Sequence, residues 1–211
     1  MSLFVILLGG SLMVTERLQR QIKGARVIAA DSGMRHASAL GLKAEVWLGD
    51  FDSTSDALQR LHSAVPRIEF SADKAMTDGE LAVEEAIRRG ASGLVLAGAL
   101  GGPRSDHAML HVMLMLAFAE RGIPVLLTSG GEEALPLLAG ECRPDLPLGT
   151  VFSIIALDNL SGLSVKGAKW PLDGQNAAFG SSLTLSNQAE DGLAISLKRG
   201  RAAIFANLSM S

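Results

Sequence analysis

The sequence predicts an α/β protein of two domains, with a parallel sheet flanked by helices in residues 1–130 and a small antiparallel β domain in residues 131–211. Three observations support this prediction. Short apolar runs alternate with helical patterns as far as Ser129-Gly130-Gly131, which implies parallel strands joined by right-handed crossovers. Beyond that point helical periodicity disappears, and Gly, Ser, Asn and Pro become frequent. Turn residues such as Asp173-Gly174 and Arg199-Gly200 then separate short β-like runs.

Apolar runs and helical periodicity predict the elements in order. The strands of the first domain are predicted at Leu3–Leu8, Ala25–Ala30, Ala44–Leu48, Arg67–Phe70, Gly93–Leu100 and Ile123–Thr128. Helices are predicted to end near Ile22 and to span Met34–Leu40, Ser55–Ser63, Thr77–Arg89 and Ser105–Arg121. The helix at Thr77 begins with capping-box spacing, Thr77 to Glu80. The second domain is predicted to contain strands at Val151–Leu157, Gly162–Val165, Ser182–Leu185, Leu193–Leu197 and Ala202–Phe205.

Composition excludes several classes of protein. The chain has 211 residues, 48% of them hydrophobic and 19% charged, which is typical of a globular protein. A net charge of -3 argues against a general nucleic-acid-binding protein, which would need a basic face. One cysteine, Cys142, excludes an internal disulfide and fits a reducing compartment. The apolar start, Ser2–Leu8, is short and lacks a preceding basic residue, so we interpret it as a strand. We therefore expect a cytoplasmic protein without a membrane segment.

The most informative segment is Gly49-Asp50-Phe51-Asp52-Ser53, which ends a buried strand with two carboxylates. In extended backbone, side chains two residues apart leave on the same face. Two anions so close together need a counter-charge, and a hard divalent cation such as Mg²⁺ carrying substrate phosphates would supply it. The alternative is an ordinary turn in which Asp52 or Ser53 caps the next helix.

Further acids follow other predicted strands of the first domain. They are Asp31, Asp73, Asp78 and Asp106. Because parallel strands bring their strand-to-helix loops to one edge of the sheet, we expect these carboxylates to converge on one cleft. Asp78 also occupies the first turn of a predicted helix, where the helix dipole alone favours an acid. Neither Asp31 nor Asp106 is singled out by the sequence as a general base, although either could serve.

The loop Gly98–Gly102 follows a strand but lacks the Lys-Ser/Thr ending of a P-loop, so it is not a Walker motif. Its glycines could let backbone N–H groups approach phosphate oxygens, or could simply form a tight turn. Arg104 follows at the start of a helix, and its guanidinium suits the oxygens of a transferring phosphate. Asp106 could orient Arg104 or bind a metal through water.

The same helix contains two histidines and several methionines. His107 and His111 have the spacing of zinc ligands, but without a third soft ligand we interpret His107 as a polar edge residue and His111 as a packing residue. The methionines are predicted to fill the core. They are Met109, Met113 and Met115.

Taken together, these motifs resemble those of the thiamine pyrophosphokinase family, whose members move a diphosphate from ATP to the hydroxyl of thiamine. The matching motifs are Ala30-Asp31-Ser32-Gly33, Gly49-Asp50-Phe51-Asp52-Ser53, Asp73-Lys74, Thr77-Asp78, Gly98-Ala99-Leu100-Gly101-Gly102, Arg104-Ser105-Asp106-His107, Lys169-Trp170-Pro171-Leu172 and Ser186-Asn187. One departure is Pro103, which separates the diglycine from Arg104 where bacterial relatives usually join them. The resemblance implies a Rossmann-like first domain, a carboxy-terminal β-sandwich, Mg²⁺ as cofactor, ATP as co-substrate, and a homodimer with sites at its interface.

The resemblance also implies roles for individual residues. Catalytic residues would be Asp31, Asp52, Asp78, Arg104 and Asp106. Metal ligands would be Asp50, Asp52 and Asp78. The nucleotide would be bound by Gly9, Gly10, Asp73, Lys74, Thr77, Gly101 and Gly102. Thiamine would be bound by Trp170, Ser186 and Asn187. For Trp170 the alternative is a core position, for Lys74 a solvated loop lysine, and for Gly9, Gly10, Ser186 and Asn187 ordinary turns.

Three other functions are compatible with parts of the sequence. A pyrophosphokinase could act on another alcohol such as hydroxymethylpterin, although the Trp170 segment favours thiamine. A metal-dependent sugar transferase could use the Asp-x-Asp pair to hold a nucleotide-sugar diphosphate. A non-catalytic protein could bind thiamine or its diphosphate as a sensor, although the full set of acids argues against this.

Overall fold

A computed structural model describes residues 2–71, 73 and 75–209. The chain divides into two compact units. Unit 1 contains the residues up to Leu114 together with Ile123–Gly130, and unit 2 contains Met115–Gly122 together with the residues from Gly131 onward. Lys74, predicted to bind the nucleotide, lies outside the described residues. Among the helices that the described residues form, none is both long and apolar enough to cross a membrane.

Unit 1 is built on a parallel sheet. Its strands are β1 Leu3–Leu7, β2 Arg26–Ala30, β3 Val46–Gly49, β4 Arg67–Glu69, β5 Gly93–Ala97 and β6 Val125–Thr128. Their order across the sheet is β6-β5-β1-β2-β3-β4, and each neighbouring pair is parallel. The side chains from Phe4 to Leu7 in the central strand β1 are 0% exposed. The carboxyl ends of these strands therefore share one edge, as the sequence predicts for an α/β protein.

Helices connect these strands. They are α1 Glu16–Gln21, α2 Arg35–Ala39, α3 Asp56–Leu61, α4 Asp78–Arg88 and α5 Ser105–Glu120, with a 3-10 turn at Asp31–Met34. A hydroxyl side chain caps the start of α1, α3 and α4 by accepting a backbone N–H bond, at 3.1 Å for Thr15, 3.3 Å for Ser55 and 3.3 Å for Thr77. The cap at Thr77 confirms the helix start predicted from its capping-box spacing.

Two predictions in unit 1 are wrong in detail. Strand β5 ends at Ala97 and not at Leu100, because Gly98 has a φ of +80° and turns the chain out of the sheet. Met109 and Met113, predicted to be core residues, are 51% and 54% exposed, whereas Met115 is fully buried. Residues four apart share a helix face, so Met109 and Met113 lie together on the solvent side of α5.

The prediction of extended backbone from Asp50 to Asp52 is also wrong. Strand β3 ends at Gly49, and Phe51 has a φ of +61°, which belongs to the left-handed region. The backbone N–H of Asp52 donates to Oδ1 of Asp50 at 3.2 Å, which closes a local turn. The turn that the sequence left open as an alternative is therefore present, but Ser55 caps the following helix.

Unit 2 is formed mainly by antiparallel strands. They are β7 Glu132–Leu137, β8 Gly140–Cys142, β9 Val151–Ala156, β10 Leu160–Ala168, β11 Leu172–Ala177, β12 Asn187–Leu197 and β13 Ala202–Asn207. Their order is β11-β10-β12-β9-β13-β7, and β8 also pairs with β12. The first residues of β12 pair with β9 and its later residues with β10 and β8. Buried side chains from these strands form a separate hydrophobic core.

The sequence predicts unit 2 less well than unit 1. The segment Ser182–Leu185 is a turn and not a strand, with the N–H of Leu185 donating to the carbonyl of Ser182 at 3.2 Å. The strand is predicted from the apolar side chains of this segment, but Leu183 and Leu185 are exposed and are not part of a buried strand face. Strands β7, β8 and β11 were not anticipated. Their burial alternates poorly, and β11 is exposed over four consecutive residues, so the period-two pattern of a half-buried strand is weak.

Candidate active site

A cavity of about 490 Å³ lies in unit 1, where the loops after β1, β2, β3 and β5 meet the first turns of α4 and α5. The predicted site residues that line it are Gly9, Gly10, Asp31, Asp52, Thr77, Asp78, Gly101 and Arg104. Four other predicted residues, Asp50, Asp73, Gly102 and Asp106, do not contribute to its lining. Asp73 is exposed, and its backbone N–H donates to Ser71 Oγ at 3.2 Å.

Three carboxylates are gathered in this region. Asp31, Asp50 and Asp78 each place an oxygen within 4.8 Å of the oxygens of the other two, and all three side chains are partly buried. We call this group the acidic triad. Hard oxygen donors are the ligands that Mg²⁺ prefers, so the donor set fits that cation. The sequence predicted Asp52 in place of Asp31 as a metal ligand.

Asp52 lies beside the triad. A side-chain hydrogen bond with Asp50 raises the pKa of Asp52, and the charges of Asp50 and Asp31 add to the shift. Because like charges disfavour each other's ionised forms, this pKa reflects the crowding of acids in the loops after β2 and β3.

Asp31 is held by several contacts that the sequence did not predict. The hydroxyls of Ser53 and Thr54 donate to its two carboxylate oxygens, and the indole Nε1–H of Trp47 donates to its backbone carbonyl at 2.8 Å. Asp31 also has a φ of +43°. A non-glycine residue in this region is uncommon, and such conformations persist where surrounding contacts over-determine them.

Arg104 and Asp106 form a two-pronged ion pair. Nε of Arg104 lies 2.9 Å from Oδ1 of Asp106, and Nη2 lies 2.7 Å from Oδ2. The guanidinium holds the pKa of Asp106 well below its usual range. Because this pair uses only one side of the guanidinium fork, Arg104 retains N–H groups that can bind another anion. The geometry therefore matches the first alternative for Asp106, in which it orients Arg104.

The glycine loops approach one another closely. The N–H of Gly10 donates to the carbonyl of Gly98 at 3.1 Å, so this N–H holds the two loops together. A Cβ on Gly10 would lie 2.3 Å from that same carbonyl oxygen, which leaves no room for a side chain. Pro103, the departure from the family pattern, lines the cavity beside Arg104.

Two further residues missed by the sequence analysis hold the first of these loops. Nη2 of Arg35 donates to the carbonyl of Gly9 and, at 3.0 Å, to that of Gly10. Nε2 of His36 also lies 3.0 Å from the carbonyl of Gly10. Both contacts join residues far apart in sequence, which is why periodicity and spacing contain no sign of them.

His111 lines the cavity and is largely buried, with 8% of its surface exposed. Its Nδ1 lies 2.8 Å from the carbonyl of Ala99. Burial lowers the pKa of His111, because the charged imidazolium is disfavoured away from water. The neutral ring then donates its Nδ1–H to the carbonyl. The burial of His111 agrees with the predicted packing role, and both His111 and His107 line the cavity.

The lowered pKa of His111 predicts a loss of stability in mild acid. The unfolded residue titrates near 6.5, and the folded residue titrates below that value. Between the two values the unfolded state binds more protons, so the free energy of unfolding falls as pH decreases, by at most about 1.4 kcal/mol per pH unit for one histidine. Urea unfolding of the wild type and of H111N between pH 8 and pH 5 measures this change in the free energy of unfolding. The free energy of unfolding of H111N is expected to fall less over that range than that of the wild type. A slope below pH 6.5 that is identical in both proteins would contradict the prediction.

Unit 2 contains a second, smaller cavity of about 100 Å³, lined in part by Trp170 and Asn187. The side chain of Asn187 donates to the carbonyl of Trp170 at 2.7 Å and accepts from its N–H at 3.1 Å, which fixes the Trp170 backbone. The indole itself is 54% exposed, and Nζ of Lys169 lies 4.8 Å from its ring centroid. Ser186 is outside the lining, and its N–H donates to Ser153 Oγ at 3.0 Å.

Unit 1 has a parallel sheet, and a cavity lined by acids, an arginine and glycine loops. These features are typical of α/β enzymes, and unit 1 belongs to that class. Two family models match the chain, the thiamin pyrophosphokinase catalytic domain over residues 19–127 and the thiamin pyrophosphokinase vitamin B1 binding domain over residues 141–201. The chain therefore belongs to the thiamin pyrophosphokinase family, and it is an enzyme of the transferase class.

Individual relatives agree with this assignment. The chain is 27% identical over 144 residues to the thiamine pyrophosphokinase of Bacillus subtilis, a match that covers 66% of this chain and 67% of that protein. Its fold is similar to the crystal structure of a thiamine pyrophosphokinase from B. subtilis, with a TM-score of 0.85, 20% identity, and coverage of 98% and 99%. The crystal structure of a thiamin pyrophosphokinase from Geobacillus thermodenitrificans gives a TM-score of 0.82, 24% identity, and coverage of 98% and 97%.

Proposed function

We propose that the protein transfers the diphosphate of ATP to the hydroxyl of thiamine, giving thiamine diphosphate and AMP. The observation that carries the proposal is the acidic triad beside Arg104 and the glycine loops in unit 1 of a family member. Charges of both signs are needed around a polyphosphate, because cations must be held and phosphate oxygens must be neutralised.

The acidic triad is our candidate for holding Mg²⁺. Asp31, Asp50 and Asp78 offer carboxylate oxygens close enough together to share one cation. When bound, Mg²⁺ would neutralise negative charge on the ATP phosphates and on the transferring group. Asp52, predicted from the sequence as a metal ligand and a catalytic residue, lies next to Asp50, and both of these roles stay predictions.

Arg104 is our candidate for binding the transferring phosphates. Asp106 holds its guanidinium through two hydrogen bonds, so the side chain is oriented before substrate arrives. Preorganised donors stabilise developing charge without a reorganisation cost at the moment of reaction. Gly9, Gly10 and Gly101 line the cavity and would border the nucleotide, and Thr77 caps the helix start there. The roles predicted for Asp73, Lys74 and Gly102 stay predictions.

Thiamine is proposed to bind in unit 2 on the exposed face of Trp170. The segment lies within the match to the vitamin B1 binding domain, and a flat indole suits stacking on a cationic ring. Asn187 would act by holding the Trp170 backbone, since its side chain already bonds both the N–H and the carbonyl of that residue. A direct contact of Ser186 with the substrate stays a prediction.

In the proposed reaction, the thiamine hydroxyl oxygen forms a bond to the β-phosphorus. The bond from that phosphorus to the oxygen shared with the α-phosphorus breaks, and its electron pair leaves with AMP. The hydroxyl proton passes to solvent water as the new bond forms. Asp31 is assigned to cation binding and Asp106 to holding the Arg104 guanidinium, so neither is assigned as the base.

A coupled AMP assay tests the proposed function. AMP release is expected only when ATP, Mg²⁺ and thiamine are all present, and omission of any one should abolish it. Hydroxymethylpterin in place of thiamine is the matched alternative acceptor. AMP release with the pterin and none with thiamine would contradict the proposal, and thiamine binding by calorimetry without AMP release would support a sensor.

The fold classes of the two units are part of the same proposal. We assign unit 1 to the Rossmann-like class because its strands are parallel and joined by helices, and unit 2 to the β-sandwich class because β12 pairs with different strands along its length. The domain boundary near residue 130, the homodimer and the cytoplasmic location stay predictions. Sedimentation equilibrium of the purified protein would measure the oligomeric state.

A further inference from the structure

Asp31 is the member of the acidic triad whose contacts are best defined, and two neighbouring hydroxyls hold it. Ser53 Oγ donates to Oδ2 of Asp31, and Thr54 Oγ1 donates to Oδ1 at 2.5 Å. One hydrogen bond would leave the carboxylate free to rotate about its last torsion. Two bonds, one to each oxygen, define the plane of the carboxylate and therefore the direction of its remaining lone pairs.

The two hydroxyls differ in their surroundings. Ser53 is exposed, whereas Thr54 is 7% exposed and is therefore a buried polar side chain. Burial of a hydroxyl is costly unless the hydroxyl is hydrogen-bonded, and the hydroxyl of Thr54 donates its hydrogen bond to Asp31. The β-branched side chain of Thr54 also has few rotamers, so its hydroxyl is held in place more firmly than a serine hydroxyl would be.

Thr54 is itself fixed by other contacts. Its N–H donates to the carbonyl of Phe51 at 3.2 Å, and its carbonyl accepts from Nε2 of Gln59 at 3.2 Å. Gln59 in turn accepts from Arg67 Nη1 at 3.1 Å. The guanidinium of Arg67 lies 5.0 Å from the ring centroids of both Trp47 and Phe51. The loop after β3 is therefore connected to α3, to β4 and to the indole that bonds the Asp31 carbonyl.

We propose that Ser53 and Thr54 are positioning residues, which orient the Asp31 carboxylate for cation binding by the acidic triad. This inference rests on the proposed metal-binding role of the triad. Residues that hydrogen-bond a ligating side chain fix its orientation, and their loss typically lowers metal affinity by about 10–100-fold. The hydroxyls act through Asp31 and need no contact with the cation.

The test measures Mn²⁺ binding to the full-length protein by electron paramagnetic resonance, without ATP or thiamine. T54V keeps the shape of the side chain and removes its donor, and it is expected to lower Mn²⁺ affinity by at least about tenfold. S53A should also weaken Mn²⁺ binding. T54S keeps a hydroxyl at position 54, so its Mn²⁺ affinity should be close to that of the wild type and well above that of T54V. The apparent KM for Mg²⁺ in the AMP assay should rise in the same order.

S55A is the matched control, because it removes a neighbouring hydroxyl that caps α3 and does not contact Asp31. It should destabilise the helix and leave Mn²⁺ affinity unchanged. Wild-type affinity in both T54V and S53A would overturn the inference. Should T54V not fold, S53A at the exposed position decides the question alone. D50N provides the other reference: undiminished Mn²⁺ binding in D50N would overturn the metal-binding role of the triad, which is a separate failure.

Discussion

Replacement of Asp50 by Asn is expected to reduce turnover by at least about a hundredfold, because it removes one charged member of the acidic triad while preserving side-chain shape. Asp50 places an oxygen within 4.8 Å of oxygens of both Asp31 and Asp78. An amide can offer one neutral oxygen in that position, so cation binding and the stabilisation of phosphate charge both weaken. Initial rates of AMP release at saturating ATP, Mg²⁺ and thiamine measure the effect, and circular dichroism establishes that D50N is folded.

Asp56→Asn is the control for this prediction. Asp56 occupies the first turn of α3, is exposed and lies outside the cavity lining. The substitution also removes one carboxylate from the same segment, so it reproduces the change in net charge. We expect D56N to retain near-normal turnover. If D50N and D56N had the same activity, the acidic triad would have no part in catalysis.

Replacement of Gly33 by Ala is expected to destabilise unit 1 by about 3 kcal/mol or more, because the new methyl group overlaps backbone. A Cβ on Gly33 would lie 2.1 Å from the Leu7 carbonyl oxygen and 2.8 Å from the Leu8 nitrogen. Both atoms belong to or directly follow the central strand, which cannot move without breaking its pairing to β2 and β5. Urea unfolding followed by circular dichroism measures the free energy of unfolding.

Gly79→Ala is the control for this prediction. It tests whether any glycine-to-alanine change near the cavity destabilises the protein, or only one whose methyl group overlaps backbone. The atom nearest to a Cβ on Gly79 is Cδ2 of Leu8 at 3.1 Å, the far end of a flexible side chain. Gly79 lies in the first turn of α4, where alanine is also the better helix former. G79A should therefore change stability by less than about 1 kcal/mol. Equal destabilisation by G33A and G79A would contradict the steric account.

Much of the architecture could be predicted because it depends on local patterns. The buried strand before Asp50 is a continuous apolar run, and Thr77 with Glu80 marks the start of α4. The convergence of Asp31 and Asp78 at one cavity follows from parallel topology alone, since strand-to-helix loops share an edge. The mixed α/β class is confirmed for the same reason.

The details of the site depend on contacts between distant residues, which have no local signal. Sequence spacing predicts Asp52 as a metal ligand, whereas the described carboxylates that lie within 4.8 Å of one another are those of Asp31, Asp50 and Asp78. Asp31 and Asp50 follow the ends of β2 and β3, which pair in parallel, so the strand pairing brings these two acids close together. The hydroxyl of Thr54 reaches a carboxylate 23 residues earlier in the chain. Arg35 and His36 bond glycine carbonyls more than twenty residues away, and nothing in their own segment indicates a partner.

The two tryptophans of this chain occupy opposite environments, and this makes intrinsic fluorescence informative. Trp47 is 0% exposed, and its indole N–H donates a hydrogen bond to the Asp31 carbonyl. Trp170 is 54% exposed, and the ammonium group of Lys169 lies over its ring. Emission from Trp47 should be blue-shifted and resist acrylamide quenching, and emission from Trp170 should be red-shifted and quench readily. Each can be recorded alone after changing the other to phenylalanine. One spectrum then reports on the nucleotide side and the other on the acceptor side of the proposed reaction.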